Sequence, residues 1–151
     1  MERGLILKKG TIVDSTIISA PSSTKNKEKK RDPDAHQVKK GNTWHFGYKA
    51  HIGVDRDSGL VHTVEATAAN VHDATETSKL LTGDEDEVYG DSGYLGAEKR
   101  GDAIIRNKAG RKIKYRINRR PPQVKKLSKS GQYAAKKAEH AKSSVRAKVE
   151  H

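Results

Sequence analysis

Cysteine is absent from the 151 residues. That excludes disulfides and thiolate metal sites, and it suits a reducing compartment. Apolar residues are sparse, at 32%, and aromatic ones make up only 5%. The core is therefore thin and the polar surface large, although the length suffices for one domain with a real core. No apolar run approaches membrane-spanning length, and no charged-then-apolar leader opens the chain. These absences predict a cytosolic protein with no membrane partner.

Positive charge is what the chain has in excess, with a formal net of +12. Residues 1–40 carry +5, residues 41–98 carry −8 and residues 99–151 carry +15. An acidic middle between basic arms suits a protein that grips phosphates outside and holds metal or catalytic carboxylates inside. A merely basic binding protein needs no acidic centre.

Thr11–Ile18 is β-branched almost throughout, which predicts a strand. Asp14 sits in its middle, on one face with Ile12 and Thr16. A carboxylate there is costly to desolvate, so it has a partner, a function or a solvent-facing edge position. Ser22–Asn42 reads as a long exposed loop, and its basic run from Lys25 to Lys40 suits either a nucleic-acid backbone or a solvated linker. Trp44–Asp55 alternates cleanly, with Trp44, Phe46, Tyr48, Ala50, Ile52 and Val54 on the apolar side. The other side carries His45, Gly47, Lys49, His51, Gly53 and Asp55, which predicts a half-buried strand with a polar face. Asp57-Ser-Gly59 turns it into a second strand, Leu60–Ala68. His45 and His51 lie ~20 Å apart at strand rise, too far to share one metal. Lys49, on the same face, meets a phosphate or plain solvent.

A helix over Ala74–Leu81, capped by Asn70 or Asp73, is expected next. Gly83–Glu87 reads as a solvated acidic turn without the spacing of a calcium loop. Val88 and Tyr89 then end a strand, Gly90 removes a side chain, Asp91 follows, and Ser92-Gly93 turns the backbone away. By itself Asp-Ser-Gly is a turn. At the C-terminal end of a strand it also leaves a carboxylate where open α/β sheets place their ligands. Further on come a helix over Ala97–Arg106 and a basic strand, Lys112–Asn118, with Lys112, Lys114 and Arg116 on one face. Arg119-Arg-Pro-Pro122 stops that strand. A long helix, Gln132–His151, lines up Ala134, Ala138, Ala141, Val145 and Val149. On an adjacent stripe Arg146 and Glu150 are i, i+4 neighbours.

Five stretches resemble the catalytic domain of DDE transposases from bacterial insertion sequences, nearest the insertion-sequence-five type. They are Gly10-Thr-Ile-Val-Asp-Ser-Thr-Ile-Ile-Ser-Ala-Pro21, Trp44-His-Phe-Gly-Tyr-Lys-Ala-His51, Ala69-Asn-Val-His-Asp73, Tyr89-Gly-Asp-Ser-Gly-Tyr94 and Arg146-Ala-Lys-Val-Glu-His151. They run over nearly the whole chain in the family's order. The resemblance implies an α/β, ribonuclease H-like fold, a mixed sheet of about five strands flanked by helices. It implies Asp14, Asp91 and Glu150 as catalytic, metal-binding carboxylates, two Mg²⁺ or Mn²⁺ ions as cofactors, and Arg146 as a contact to DNA phosphate. Further DNA contacts are expected at Lys49, Lys112, Lys114 and Arg116. The implied partners are transposon ends and target DNA, with a homodimer in the active assembly, in a cytoplasmic, DNA-associated protein.

Some features depart from the family pattern. Ser143 stands where the family signature has Tyr, and its closing Lys beyond Glu150 is absent. The family's N-terminal DNA-recognition region is missing too. Residues 1–151 thus resemble a truncated catalytic domain, expected to be a poor or inactive transposase with Glu150 on a frayed last turn.

Carboxylates drawn together from distant points repel one another, and divalent cations offset the repulsion. Two such ions about 3.5–4 Å apart activate a water or a 3′-hydroxyl and stabilise the leaving oxygen of a phosphodiester. Two other readings stay open. One is a non-catalytic basic nucleic-acid-binding protein, and the other is a ribonuclease H-like nuclease that cuts but never joins strands.

Overall fold

A computed structural model describes residues 9–23 and 30–149. β1 (Gly10–Ser19) pairs antiparallel with β3 (Thr43–Asp55), which turns into antiparallel β4 (Val61–Ala68). On the other side of β1 lies β5 (Glu87–Gly90), parallel to it, and β6 (Lys114–Ile117) runs parallel to β5. β2 (His36–Lys40) pairs with the first residues of β3. Together they form one six-stranded mixed sheet in the order β2-β3-β1-β5-β6, with β4 also on β3. The α/β, ribonuclease H-like expectation holds, with one strand more than the sequence suggests.

That extra strand, β2, lies inside the stretch expected to be loop. Its side chains are mostly exposed, so no alternating apolar pattern marks it. Backbone pairing to β3 makes it a strand, and its lysines suit a sheet edge.

Two expected helices are replaced by tighter or shorter turns. Asp73–Leu80 is 3₁₀ rather than α, and its cap is His72, whose Nδ1 accepts from the Ala74 amide at 3.2 Å. Asp73, Thr75, Thr77 and Ser78 make up half of this segment, and all are weak α-helix formers. Ala97–Lys99 is one 3₁₀ turn where a helix to Arg106 is expected. Beyond it the Ile104 carbonyl accepts from the Tyr115 hydroxyl at 2.6 Å, and Ile105 accepts from the Ile113 amide at 2.8 Å. Those bonds hold the segment extended against β6. The prolines expected to stop β6 instead open a short helix, α1 (Pro121–Lys125), where a first-turn proline loses no hydrogen bond. α2 (Lys129–Arg146) follows, then a 3₁₀ turn, Ala147–Val149.

Each face of the sheet has its own apolar cluster. Val13, Leu80, Val88, Tyr94, Ile113 and Ile117 pack under the 73–80 segment and the turns after β5. Ile12, Val54 and Tyr89 pack on the opposite face with Ile52, Val145 and Val149. Only the C-terminal end of the expected α2 stripe therefore meets the sheet; Ala134, Ala138 and Ala141 are exposed.

The polar side of β3, expected to be solvated, is buried as well. Lys49, His51 and Asp55 are buried, whereas Trp44 is 64% exposed. The reason is the 73–80 segment, which lies on the polar side. At Gly53 it comes so close that a Cβ would sit 2.4 Å from the Leu80 carbonyl oxygen. The acidic turn is likewise no solvated loop throughout. Glu85 is fully buried and accepts from Thr11 Oγ1 at 2.9 Å, Thr82 Oγ1 at 2.8 Å and the Gly83 amide at 2.9 Å.

Candidate active site

Asp14 and Asp91 come together because β1 and β5 are adjacent and parallel. The last paired couple is Ile12 with Tyr89, and each aspartate lies two residues further along its own strand direction. Alternation puts both on the face that carries Val145 and Val149. Asp91 keeps extended backbone and accepts from the Gly93 amide at 2.9 Å, so its carboxylate is fixed by its own turn. Asp14 accepts from the Ser15 amide at 2.8 Å. Burial pushes the Asp14 carboxyl above the usual carboxylate range, and the charge of Asp91 adds to the rise. The Ser15 amide, Arg146 and Lys40 act in the opposite direction.

Two half-buried carboxylates that repel each other offer hard oxygen donors and a deficit of positive charge. That donor set fits Mg²⁺ or Mn²⁺. Among the described residues no group of three or more His, Cys, Asp or Glu side chains is gathered as a metal site. Glu150, the expected third carboxylate, lies outside the described residues.

Arg146 reaches this face from the end of α2. Its Nε donates to Asn118 Oδ1 at 2.7 Å, and Asn118 Nδ2 donates to Glu139 Oε2 at 2.6 Å. Glu139 also accepts from the Arg119 amide at 2.9 Å and from Lys142 Nζ at 3.1 Å. Burial alone would raise the Glu139 carboxyl, but these hydrogen bonds outweigh it and hold the group below its ordinary value. Sequence reasoning finds Arg146 but misses Asn118 and Glu139, because nothing local in either stretch marks a polar hub. Ser143 sits at its edge, 3.4 Å from Asn118 Nδ2.

The remaining expected contacts divide. Lys112 and Lys114 are exposed. Arg116 instead pairs with Glu87, its Nε 3.2 Å from Oε2. Glu87 also takes Arg56 at 3.2 Å and the Tyr89 hydroxyl. Lys49 is buried on the other face, where it donates to Asp73 Oδ1 at 2.9 Å and to the Val71 carbonyl at 3.0 Å. His51 Nδ1 lies 3.9 Å from the same Asp73 oxygen and has no hydrogen-bond partner, while Nε2 meets Thr67 Oγ1 at 2.7 Å. Burial pushes the His51 imidazole down.

Asp73 was missed as a site neighbour because it reads as a helix cap. A Cβ at Gly93 would lie 3.0 Å from Asp91 Oδ1 and 3.8 Å from Asp73 Oδ2, so both carboxylates border this glycine just beyond the end of β5. Lys49 thus balances a carboxylate that shares the Gly93 turn with Asp91.

No helix among the described residues is long and apolar enough to cross a membrane. No solved structure matches the chain at a significant level. A family described as Transposase DDE domain matches residues 6–151. The strand-borne aspartate pair and a match running through both aspartates to the last residue lead to one conclusion: this chain belongs to the DDE-domain transposases.

Proposed function

We propose that the chain carries out metal-dependent cleavage and transfer of DNA strands at the ends of an insertion sequence, of the insertion-sequence-five type by its motifs. The observation that carries this reading is the Asp14–Asp91 pair, set on one face by adjacent parallel strands. Asp14, Asp91 and Glu150 would hold two divalent cations, Mg²⁺ or Mn²⁺. When bound, these supply activation of the attacking oxygen and stabilisation of the leaving one.

The protein's own part is positioning and charge. The Gly93 amide and the Ser15 amide hold the two aspartates in place before any substrate arrives. Arg146, tied by Asn118 and Glu139, puts a guanidinium beside Asp14 where a phosphate would sit. Lys112 and Lys114 add an exposed positive edge for the DNA backbone. Cleavage breaks the P–O3′ bond with a water oxygen as nucleophile. Joining forms a new P–O bond with the freed 3′-hydroxyl and releases a target 3′-oxygen.

The test uses a duplex ending in the inverted repeat that borders the chain's own coding sequence. Any cutting by wild-type protein should require Mg²⁺ or Mn²⁺, and so should the joining of a pre-cut end to target DNA. Asp14→Asn and Asp91→Asn should do neither. Cutting without joining would assign a nuclease instead. Binding with no metal-dependent chemistry would assign a basic binding protein.

A further inference from the structure

The sheet face that bears Asp14 continues along β3 to residues that the described parts of the chain leave open. Trp44 is 64% exposed there, and Phe46 follows it on the same side. Lys39 is the β2 partner of Trp44, and its ammonium lies 6.0 Å from the centre of the indole. The Arg31 guanidinium lies 5.7 Å from the centre of the Phe46 ring. Beside these rings is a cleft of about 300 Å³, to which Ser19, Gln37 and His45 contribute polar groups.

Strand β3 reaches this position through Gly47, which has φ 153° and space for no side chain. A Cβ there would lie 2.0 Å from the Ile18 carbonyl oxygen. At Gly47 the pairing passes from β1 to β2, and Ala20 donates to the Phe46 carbonyl at 2.8 Å.

A greasy partner does not suit this surface, because covering it would desolvate a cation over each ring. A flat π-system that carries phosphate does suit it. Nucleic-acid bases stack on exposed aromatic side chains while their phosphates meet the neighbouring cations. Bases inside a duplex are already stacked on each other, so only an unpaired one has a free face.

We propose that Trp44, Phe46, Lys39 and Arg31 form a binding site for an unpaired nucleotide of DNA, with the base on Trp44 and the cations on its flanking phosphates. This rests on the reading above only in taking DNA as the substrate. The cleft polar groups, Ser19, Gln37 and His45, then face the edge of the base.

Trp44 is the only tryptophan in the chain, so its emission reports the site directly. The full chain, without divalent cation, is titrated with an oligothymidylate strand and with a blunt duplex of equal length. The affinity of each labelled DNA is followed in parallel by anisotropy. The single strand should quench the indole saturably, and the blunt duplex should bind without doing so. Trp44→Ala should weaken single-strand binding about 5- to 160-fold, the range set by base–aromatic stacking, and Trp44→Phe should keep most of it. Asp14→Asn should quench like wild type, which separates this site from the chemistry. Binding of single strands with a silent indole overturns this site alone and needs no variant. Equal quenching by the blunt duplex, or a change that tracks protein concentration instead of DNA, also overturns it, the latter in favour of a second copy. If neither DNA binds, this proposal and the transposase reading fall together.

Discussion

Asp14 and Asp91 stand at matching steps of two adjacent parallel strands, each two residues beyond the Ile12–Tyr89 pair. The sheet thereby brings two carboxylates together, and burial first, with the charge of Asp91 adding to it, raises the Asp14 carboxyl. A function that needs both charges explains why the fold keeps this arrangement. Replacing either by Asn should lower metal-dependent DNA cleavage by at least about 10²–10³-fold, the usual cost of removing a preorganised charge-stabilising group. The double variant should be little worse than either single one, because the two act as a unit. Without divalent cation, Asp14→Asn should melt no lower than wild type, since it removes a half-buried charge from beside another. Only the wild type should gain melting temperature on adding Mg²⁺.

Lys49 and Asp73 give a second prediction. Their side chains are only 11% and 22% exposed, so each charge depends on the other. Lys49→Met should destabilise the fold by about 3 kcal/mol, the low end for a buried pair because Asp73 keeps some water. Lys49→Met with Asp73→Leu should recover part of that loss in urea melts. A double variant as unstable as the sum of the singles would show that the pair is not coupled.

Asp73, His51 and Trp44 also mark where the sequence stopped being legible. The order of the strands other than β2, the antiparallel hairpin and the aspartate at the end of β5 could all be read from β-branched runs and turn residues. That the polar face of β3 is buried too could not. The burial of Lys49 and His51 depends on a 3₁₀ segment arriving some twenty residues later, and on Gly53 leaving space for the Leu80 carbonyl. Glu85 was unreadable for the same kind of reason. Its burial rests on donors from Thr11, Thr82 and Gly83, and Thr11 comes from β1, more than seventy residues earlier. The Asn118–Glu139–Arg146 hub joins β6 to α2, and only Arg146 belongs to a recognisable pattern.

That hub should make the docking of α2 sensitive to acid. Glu139 has its folded carboxyl held below its ordinary value of 4.5. Its contribution is therefore present in full above that value and is lost as pH falls through the depressed folded value. Amide protection factors across residues 139–146, referred to the intrinsic exchange rate at each pH, should fall on acidification to about pH 3, below the reference carboxylate value. Glu139→Gln should lose about 1.5–3 kcal/mol at neutral pH, the worth of a hydrogen bond to a charged group, and should flatten the pH dependence. Protection in Glu139→Gln that still collapses with acid would assign the effect to another carboxylate.

Arg116 and its neighbours on the basic strand should separate by their partners. Lys112 and Lys114 are exposed, whereas Arg116 is engaged with Glu87. Burial would raise Glu87, yet Tyr89, Arg116 and Arg56 together hold its carboxyl down. If the exposed pair meets phosphate, removing Lys112 and Lys114 together should flatten the log K against log salt slope by about 1.8, at ~0.9 per lost contact. Arg116→Ala should leave that slope nearly unchanged. It should instead lower stability, because Glu87 loses one of its two guanidinium partners. Salt titrations by fluorescence anisotropy and urea melts on the same three proteins check both halves. A slope that falls by a further full contact in Arg116→Ala would mean that its guanidinium leaves Glu87 for DNA. An unchanged slope in the lysine double variant would move the phosphate-binding edge away from β6, with the Arg31–Lys40 stretch as one other basic surface to test.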